Sequence, residues 1–161
     1  MALKEFKIGL SELYQGEATG EVVFYRLLER FDSPDQRYKL GSLLQLETEA
    51  KARLRPAVFE LGLDLAELDE SRDKGNEFDR TFEGMDWRAA MAHLATLNEP
   101  FVKRYREIAE AAPPEYRGLA DSMAVHEKSI QNFAEREAAG DGDHSIDDVV
   151  KQLIFPLPRR V

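Results

Sequence analysis

Apolar residues recur every three or four positions over four long windows of the chain, and they seldom alternate with polar residues. This spacing is typical of amphipathic helices, because a turn of about 100° per residue brings such positions onto one face. The windows predict helices over residues 3–31, 34–61, 86–112 and 115–139. We therefore predict an all-α protein.

The breaks between these windows indicate how the helices are connected. Ser33-Pro34 offers a capping side chain and a proline for the first turn of the second helix, and Pro113-Pro114 separates the third helix from the fourth. Both breaks are short, so each predicts an antiparallel helical hairpin. Residues 63–85 between the hairpins are polar, with room for a short helix near 65–71. Such a connection is typical of a four-helix bundle with one long crossover, and an up-down-up-down bundle is the alternative.

A C-terminal extension follows the predicted bundle. Residues 145–153 have the pattern of a short amphipathic helix, and residues 155–158 read Phe-Pro-Leu-Pro, which is not helical. We expect this tail to pack against the bundle or a neighbouring subunit. The prediction is one domain over residues 1–161, with the bundle within 3–139 and the extension over 140–161.

Composition narrows the class of partner. The chain has 161 residues, of which 43% are hydrophobic, enough for one core. Its net charge of −9 disfavours binding to nucleic acid and to anionic membranes. Uncharged apolar stretches fall short of the roughly 20 residues of a membrane span, and the N-terminus lacks the apolar region of a signal peptide. We expect a soluble cytoplasmic protein with a small-molecule substrate and neither a nucleic-acid nor a membrane partner.

The sequence contains no cysteine, so a metal would be held by oxygen and imidazole. Acidic residues interrupt the apolar stripes: Glu17 is central in the first helix, Glu47 in the second, and Glu127 flanks the stripe of the fourth. Buried carboxylates are paired, protonated or bound to metal, since an unpaired one costs several kcal/mol. Glu99 lies to one side of the third stripe, at a similar height. Four carboxylates at one level of a bundle suit a pair of iron or manganese ions.

The spacing of these residues resembles that of a known superfamily. Each hairpin has a mid-helix glutamate followed 28 or 30 residues later by another, as in the ferritin-like superfamily, and residues 46–53 (Leu-Glu-Thr-Glu-Ala-Lys-Ala-Arg) resemble the second-helix motif of its rubrerythrin branch. The resemblance covers residues 3–139. It implies a non-haem di-iron oxidoreductase that uses oxygen or peroxide, or a protein that handles iron. The implied metal ligands are Glu17, Glu47, Glu99 and Glu127.

The chain departs from the family pattern at the two positions where the family has histidine. These positions are occupied here by Ala50 and Ile130. His126 lies on the flank of the buried face and is the candidate for an irregular ligand or a proton donor. The alternative is a metal-free bundle that binds a ligand or another protein, with Lys51 neutralising the carboxylates. Lys51 distinguishes the two hypotheses: directed into the bundle near Glu47 it favours the metal-free protein, and directed outward it leaves the site free.

A metal site of this kind needs a dry pocket. The side chains available to line it are apolar or aromatic: Phe24, Phe101, Tyr105, Met123 and Ile130. Val22, Val23 and the 155–158 tail also suggest an apolar surface, from which we predict a homodimer.

Overall fold

The computed structural model describes residues 2–159, so Met1, Arg160 and Val161 of the predicted domain lie outside the described range. All regular structure within it is helical, which confirms the all-α prediction, and residues 2–159 contain no strand. The helices are α1 (Ala2–Arg30), α2 (Pro34–Glu60), α3 (Asp69–Arg80), α4 (Trp87–Ala111), α5 (Arg117–Ala138) and α6 (Asp147–Val150), with a 3₁₀ turn over Pro114–Tyr116.

Local signals determine where the long helices begin. The Ser33 hydroxyl accepts a hydrogen bond from the backbone N–H of Gln36 at 3.2 Å, and Pro34 fills the first helical position of α2. Asp86 caps α4 by accepting from the backbone N–H of Ala89 at 2.9 Å. The long helices consequently lie within two residues of their predicted limits.

The short helix of the connection was placed wrongly by the sequence pattern, because α3 covers Asp69–Arg80 and not residues near 65–71. Its position depends on tertiary contacts with α1. The Thr19 hydroxyl donates to the carbonyl oxygen of Ser71 at 2.9 Å. Gly75 lies so close to Val22 that a Cβ on the glycine would be 2.7 Å from the Cβ of Val22.

Side-chain contacts give the directions of the long helices. Glu21 on α1 meets Lys51 on α2, and Tyr14 on α1 meets Arg55 further along α2, so these helices are antiparallel. Glu12 contacts Arg104 and Phe31 contacts Trp87, so α1 and α4 are antiparallel as well. It follows that α2 and α4 run in the same direction, as one long crossover requires and as an up-down-up-down bundle would not allow.

The crossover runs along the outer face of α1. The Tyr14 hydroxyl donates to the carbonyl oxygen of Leu65 at 2.8 Å, and Arg30 pairs with Asp79 at 2.9 Å. Val22 lies beneath α3, and Val23 is 7% exposed and belongs to the apolar core. The premise that these valines are exposed dimer contacts is therefore wrong.

Two apolar clusters fill the bundle on either side of its middle. One contains residues from the end of α1, the start of α2, the start of α4 and the end of α5, and the other contains residues from the opposite halves of the same helices. Between them lies a layer of buried polar side chains, which are Glu17, Glu47, Asn98, His126 and Glu127. This layer contains the candidate site.

The C-terminal extension folds back onto the bundle. Its helix α6 covers only Asp147–Val150 of the predicted 145–153. The helix begins after Ser145 because the Ser145 hydroxyl donates to Glu137 at 2.6 Å and does not cap it. The backbone N–H of Phe155 donates to Glu49 on α2 at 3.2 Å, while the Ile154 and Phe155 side chains stay exposed. The homodimer prediction now depends on this tail. In the described range, every helix is too short or too polar to cross a membrane.

Candidate metal centre

Three helices each contribute one ionisable side chain to the middle layer. Glu17 comes from α1, Glu47 from α2 and His126 from α5, and their exposed fractions are 0%, 4% and 0%. One ligand atom from each lies within 4.8 Å of the other two. The His126 Nε2 atom is 3.0 Å from Glu17 Oε2 and 3.6 Å from Glu47 Oε2. We call these residues the three-residue centre.

The atoms that converge in this centre are not satisfied by hydrogen bonds. Within residues 2–159, Glu17 Oε2 and both ring nitrogens of His126 have no hydrogen-bond partner, so the 3.0 Å approach lacks the alignment of a bond. Buried polar atoms are nearly always bonded, which makes three such atoms in one place unusual. Ligand atoms about 2.0–2.2 Å from one ion lie roughly 3–3.6 Å apart. The two separations from His126 Nε2, 3.0 Å to Glu17 and 3.6 Å to Glu47, therefore fit donors around a cation.

Glu127 adjoins the centre, whereas Glu99 does not. Glu127 is 5% exposed, and its Oε2 atom lies 3.8 Å from His126 Nε2. Glu99, also predicted as a ligand, is exposed, and the structure does not bring it to the three-residue centre. The residue that α4 directs inward is Asn98, whose amide donates to Gln131 Oε1 at 3.3 Å. Neighbouring positions on a helix point about 100° apart, and α4 continues through Pro100 without a break that would turn Glu99 inward.

Tyr105 has a polar contact that the sequence did not predict. Its hydroxyl, on α4, donates to Glu17 Oε1 at 2.9 Å, and the residue is 4% exposed. We expected Tyr105 only as a cavity wall. One oxygen of Glu17 is thus held by Tyr105 while the other faces His126.

Two glycines on α1 allow this approach. A Cβ on Gly16 would lie 2.6 Å from the Tyr105 hydroxyl oxygen, and one on Gly20 would lie 2.6 Å from the carboxyl carbon of Glu47. Glycine inside a helix costs about 1 kcal/mol relative to alanine. Gly16 and Gly20 lie on either side of Glu17 in the sequence. This pair of glycines is the feature of the sequence that could have indicated close contacts from other helices.

Burial and charge set the protonation of the centre. Burial opposes ionisation of Glu17, but the positive charge of His126 and the polar contacts of Glu17 with Glu47, His126 and Tyr105 together hold the pKa of Glu17 below its usual value. Burial and the Glu17 charge raise the pKa of Glu47 well above its usual range, and burial raises the pKa of Glu127 to about 8. Burial works against the His126 imidazolium, yet Glu17 raises the pKa of His126 well above 6.5. In the metal-free centre these shifts favour an ionised Glu17 beside a charged His126, and they favour the neutral acid for Glu47 and Glu127.

Lys51 is directed away from the centre. Its ammonium group, 6% exposed, pairs with Glu21 Oε2 at 2.9 Å and with the Glu67 carboxylate on the crossover. The positive charge of Lys51 is therefore taken up by two other carboxylates. This is the orientation that leaves Glu17 and Glu47 free.

A cavity of about 50 Å³ adjoins the centre between α1, α3 and α4. Glu47 and Glu127 reach it from α2 and α5. Its volume is room for a few water molecules or a molecule of similar size. Met123 and Ile130 of the predicted pocket belong instead to the two apolar clusters. The rest of the wall is mostly apolar and aromatic: Gly16, Thr19, Gly20, Val23, Phe24, Phe78, Leu94, Leu97, Asn98, Phe101 and Tyr105.

No protein-family model, no curated protein and no solved structure matches this chain.

Proposed function

We propose that this chain is a ferritin-like metalloprotein that binds iron or manganese at the three-residue centre for redox chemistry on oxygen or peroxide, or for handling iron. The observation that carries the proposal is the convergence of three buried donors, Glu17, Glu47 and His126, of which Glu17 Oε2 and His126 Nε2 lack hydrogen-bond partners within residues 2–159. A cation would satisfy all three at once.

The donor set indicates the class of metal. Two carboxylates and one imidazole are hard and intermediate ligands that suit manganese and iron, while the soft thiolates that favour copper(I) are absent from the sequence. Two carboxylate charges balance one divalent ion, and His126 would bind as neutral imidazole. The proposal thus assigns His126 as a ligand, in preference to a proton donor.

The surrounding residues supply the other requirements of such a site. A bound iron or manganese ion would supply Lewis acidity and electron transfer. Glu127 lines the cavity, and burial raises its pKa to about 8 in the metal-free protein, so its carboxyl group is placed to exchange a proton with a small molecule in the cavity. The rings of Phe24, Phe78 and Phe101 give the cavity an apolar wall, which favours a small uncharged molecule over ions from solution.

The alternative function is a metal-free bundle that binds a small ligand or another protein. One observation favours it: the ion pair of Glu17 and His126 neutralises the middle layer without a metal. The orientation of Lys51 toward Glu21 and Glu67 argues against it, since a bundle that had lost its metal would gain from that charge near Glu47.

Metal content distinguishes the two functions. Protein purified without chelator, and again after anaerobic loading with iron(II) or manganese(II), is measured by plasma mass spectrometry. We expect stoichiometric metal in the wild type, loss of it in Glu17→Gln and Glu47→Gln, and retention in Glu12→Gln, which removes an exposed carboxylate of α1. A folded wild type that retains no metal would reject the metalloprotein and favour the alternative.

A further inference from the structure

Glu17 presents a single free oxygen to the centre. Its Oε1 atom accepts the hydrogen bond from the Tyr105 hydroxyl at 2.9 Å, and its Oε2 atom has no partner and lies 3.0 Å from His126 Nε2. A carboxylate that bridges two metal ions gives one oxygen to each. The hydrogen bond from Tyr105 leaves Glu17 suited to a single ion.

Tyr105 is held firmly in this position. Its ring is 4% exposed, and its hydroxyl oxygen lies over Gly16, where a Cβ would come within 2.6 Å. Because Gly16 has no side chain, the Tyr105 hydroxyl can pack directly against the backbone of α1. The bond to Glu17 is therefore built into the packing of α4 on α1.

The α4 side of the middle layer brings no carboxylate. Its inward polar groups are the neutral amide of Asn98 and the hydroxyl of Tyr105, and Glu99 is exposed. A second divalent ion would have Glu127 as its one additional carboxylate. Two divalent ions would then carry more positive charge than Glu17, Glu47 and Glu127 can balance.

We propose that the centre holds one divalent ion per chain, and that Tyr105 is a positioning residue that restricts Glu17 to one ligand oxygen. This differs from the pair of ions that the family resemblance implies. The inference rests on the proposed function, because it requires that an ion binds to the centre.

The experiment counts the bound ions and reports their coordination. Metal-free full-length protein is titrated with manganese(II), desalted and measured by plasma mass spectrometry, and electron paramagnetic resonance spectra are recorded on the same samples. The variant is Tyr105→Phe. Its matched control is Tyr14→Phe, because Tyr14 is another buried tyrosine, with a hydroxyl that donates to the Leu65 carbonyl oxygen. Gly16→Ala should also displace the Tyr105 hydroxyl, because the added methyl group would lie 2.6 Å from its oxygen. This variant replaces Tyr105→Phe as the test if Tyr105→Phe does not fold.

We expect about one manganese ion per chain, with the hyperfine pattern of an isolated ion. Tyr105→Phe or Gly16→Ala should change the zero-field splitting, because Glu17 gains a second ligand oxygen, whereas Tyr14→Phe should leave the spectrum unchanged. Two ions per chain with an exchange-coupled spectrum would overturn the inference and leave the proposed function intact. An unchanged spectrum in both test variants would overturn the role of Tyr105. Absence of bound manganese would reject the proposed function itself.

Discussion

At the scale of single residues, the centre depends on side chains that are unfavourable for folding. Glu17 and His126 are 0% exposed, and Gly16 and Gly20 weaken the middle of α1. Burying ionisable groups and placing glycine within a helix both cost stability. Such costs are concentrated at functional sites, where geometry matters more than local stability.

Gly20→Ala should damage the centre without unfolding the bundle. The added methyl group would meet the Glu47 carboxyl carbon at 2.6 Å and displace it, so we expect manganese affinity to fall roughly 10-fold or more. The gain in helix propensity, about 1 kcal/mol, should offset part of the steric cost in the metal-free protein. Isothermal titration measures the affinity and thermal unfolding measures the stability.

The matched control is Gly118→Ala on α5, where a Cβ would have open space around it. This variant should bind manganese like the wild type. Equal affinity in Gly20→Ala and the wild type would show that Glu47 is not a ligand.

At the scale of helices, a buried ion pair joins α2 to α5. Lys39 and Glu137 have side chains that are each 6% exposed, and Glu137 also accepts from the Trp87 indole N–H at 2.8 Å. Burial opposes the Glu137 charge, but the hydrogen bonds from Lys39, Ser145 and Trp87, with the charge of Lys39, together lower the pKa of Glu137 below 4.5. The pair therefore stabilises the folded state above the unfolded pKa and loses its effect as the pH falls through the lower folded pKa.

Glu137→Gln should accordingly reduce stability at pH 7 and have less effect in acid. We expect a loss of about 1–3 kcal/mol at pH 7, since Lys39 keeps Asp35 as a partner. The difference between the wild type and the variant should shrink as the pH falls below about 4.5. Urea unfolding at several pH values provides the measurement, and a difference that stays constant from pH 7 to pH 3 would contradict the ion-pair assignment.

The helices could be predicted because their signals are local, whereas the arrangement of the site depends on contacts between helices. The apolar period and Ser33-Pro34 indicate α1 and α2 without any tertiary information. The limits of α3 depend on Gly75 against α1, which the sequence pattern does not reveal. Glu17 and Glu47 interrupt apolar stripes and are buried, as predicted.

The contacts of α4 could not be predicted to the same degree. Asn98 is buried and Glu99, the next residue along α4, is exposed. Counting residues from a hairpin turn predicts the height of a residue along the bundle, but it does not predict which of two neighbouring residues points inward. The bond from Tyr105 to Glu17 joins residues 88 positions apart, so no local pattern encodes it.

At the scale of the whole molecule, we expect the middle layer to lower the stability of the metal-free protein while providing the ligands for a metal ion. Glu47→Leu replaces a buried acid with an apolar side chain of similar volume between the two apolar clusters. We expect the metal-free variant to be as stable as the wild type or more stable, by about 1 kcal/mol, because no carboxyl group has to be desolvated. Manganese at about 100 times its dissociation constant should stabilise the wild type by about 2.7 kcal/mol and leave the variant unchanged.

Thermal unfolding of both proteins, with and without manganese, measures these effects. Equal stabilisation of the wild type and Glu47→Leu by manganese would place the ion elsewhere on the acidic surface.

The most direct test of the central claim is a crystal structure of the manganese-loaded protein, with anomalous data collected on both sides of the manganese edge. We predict one anomalous peak in the middle layer, within about 2.0–2.3 Å of Glu17 Oε2, a Glu47 oxygen and His126 Nε2. A well-ordered map with no peak among these three side chains would contradict the metal centre.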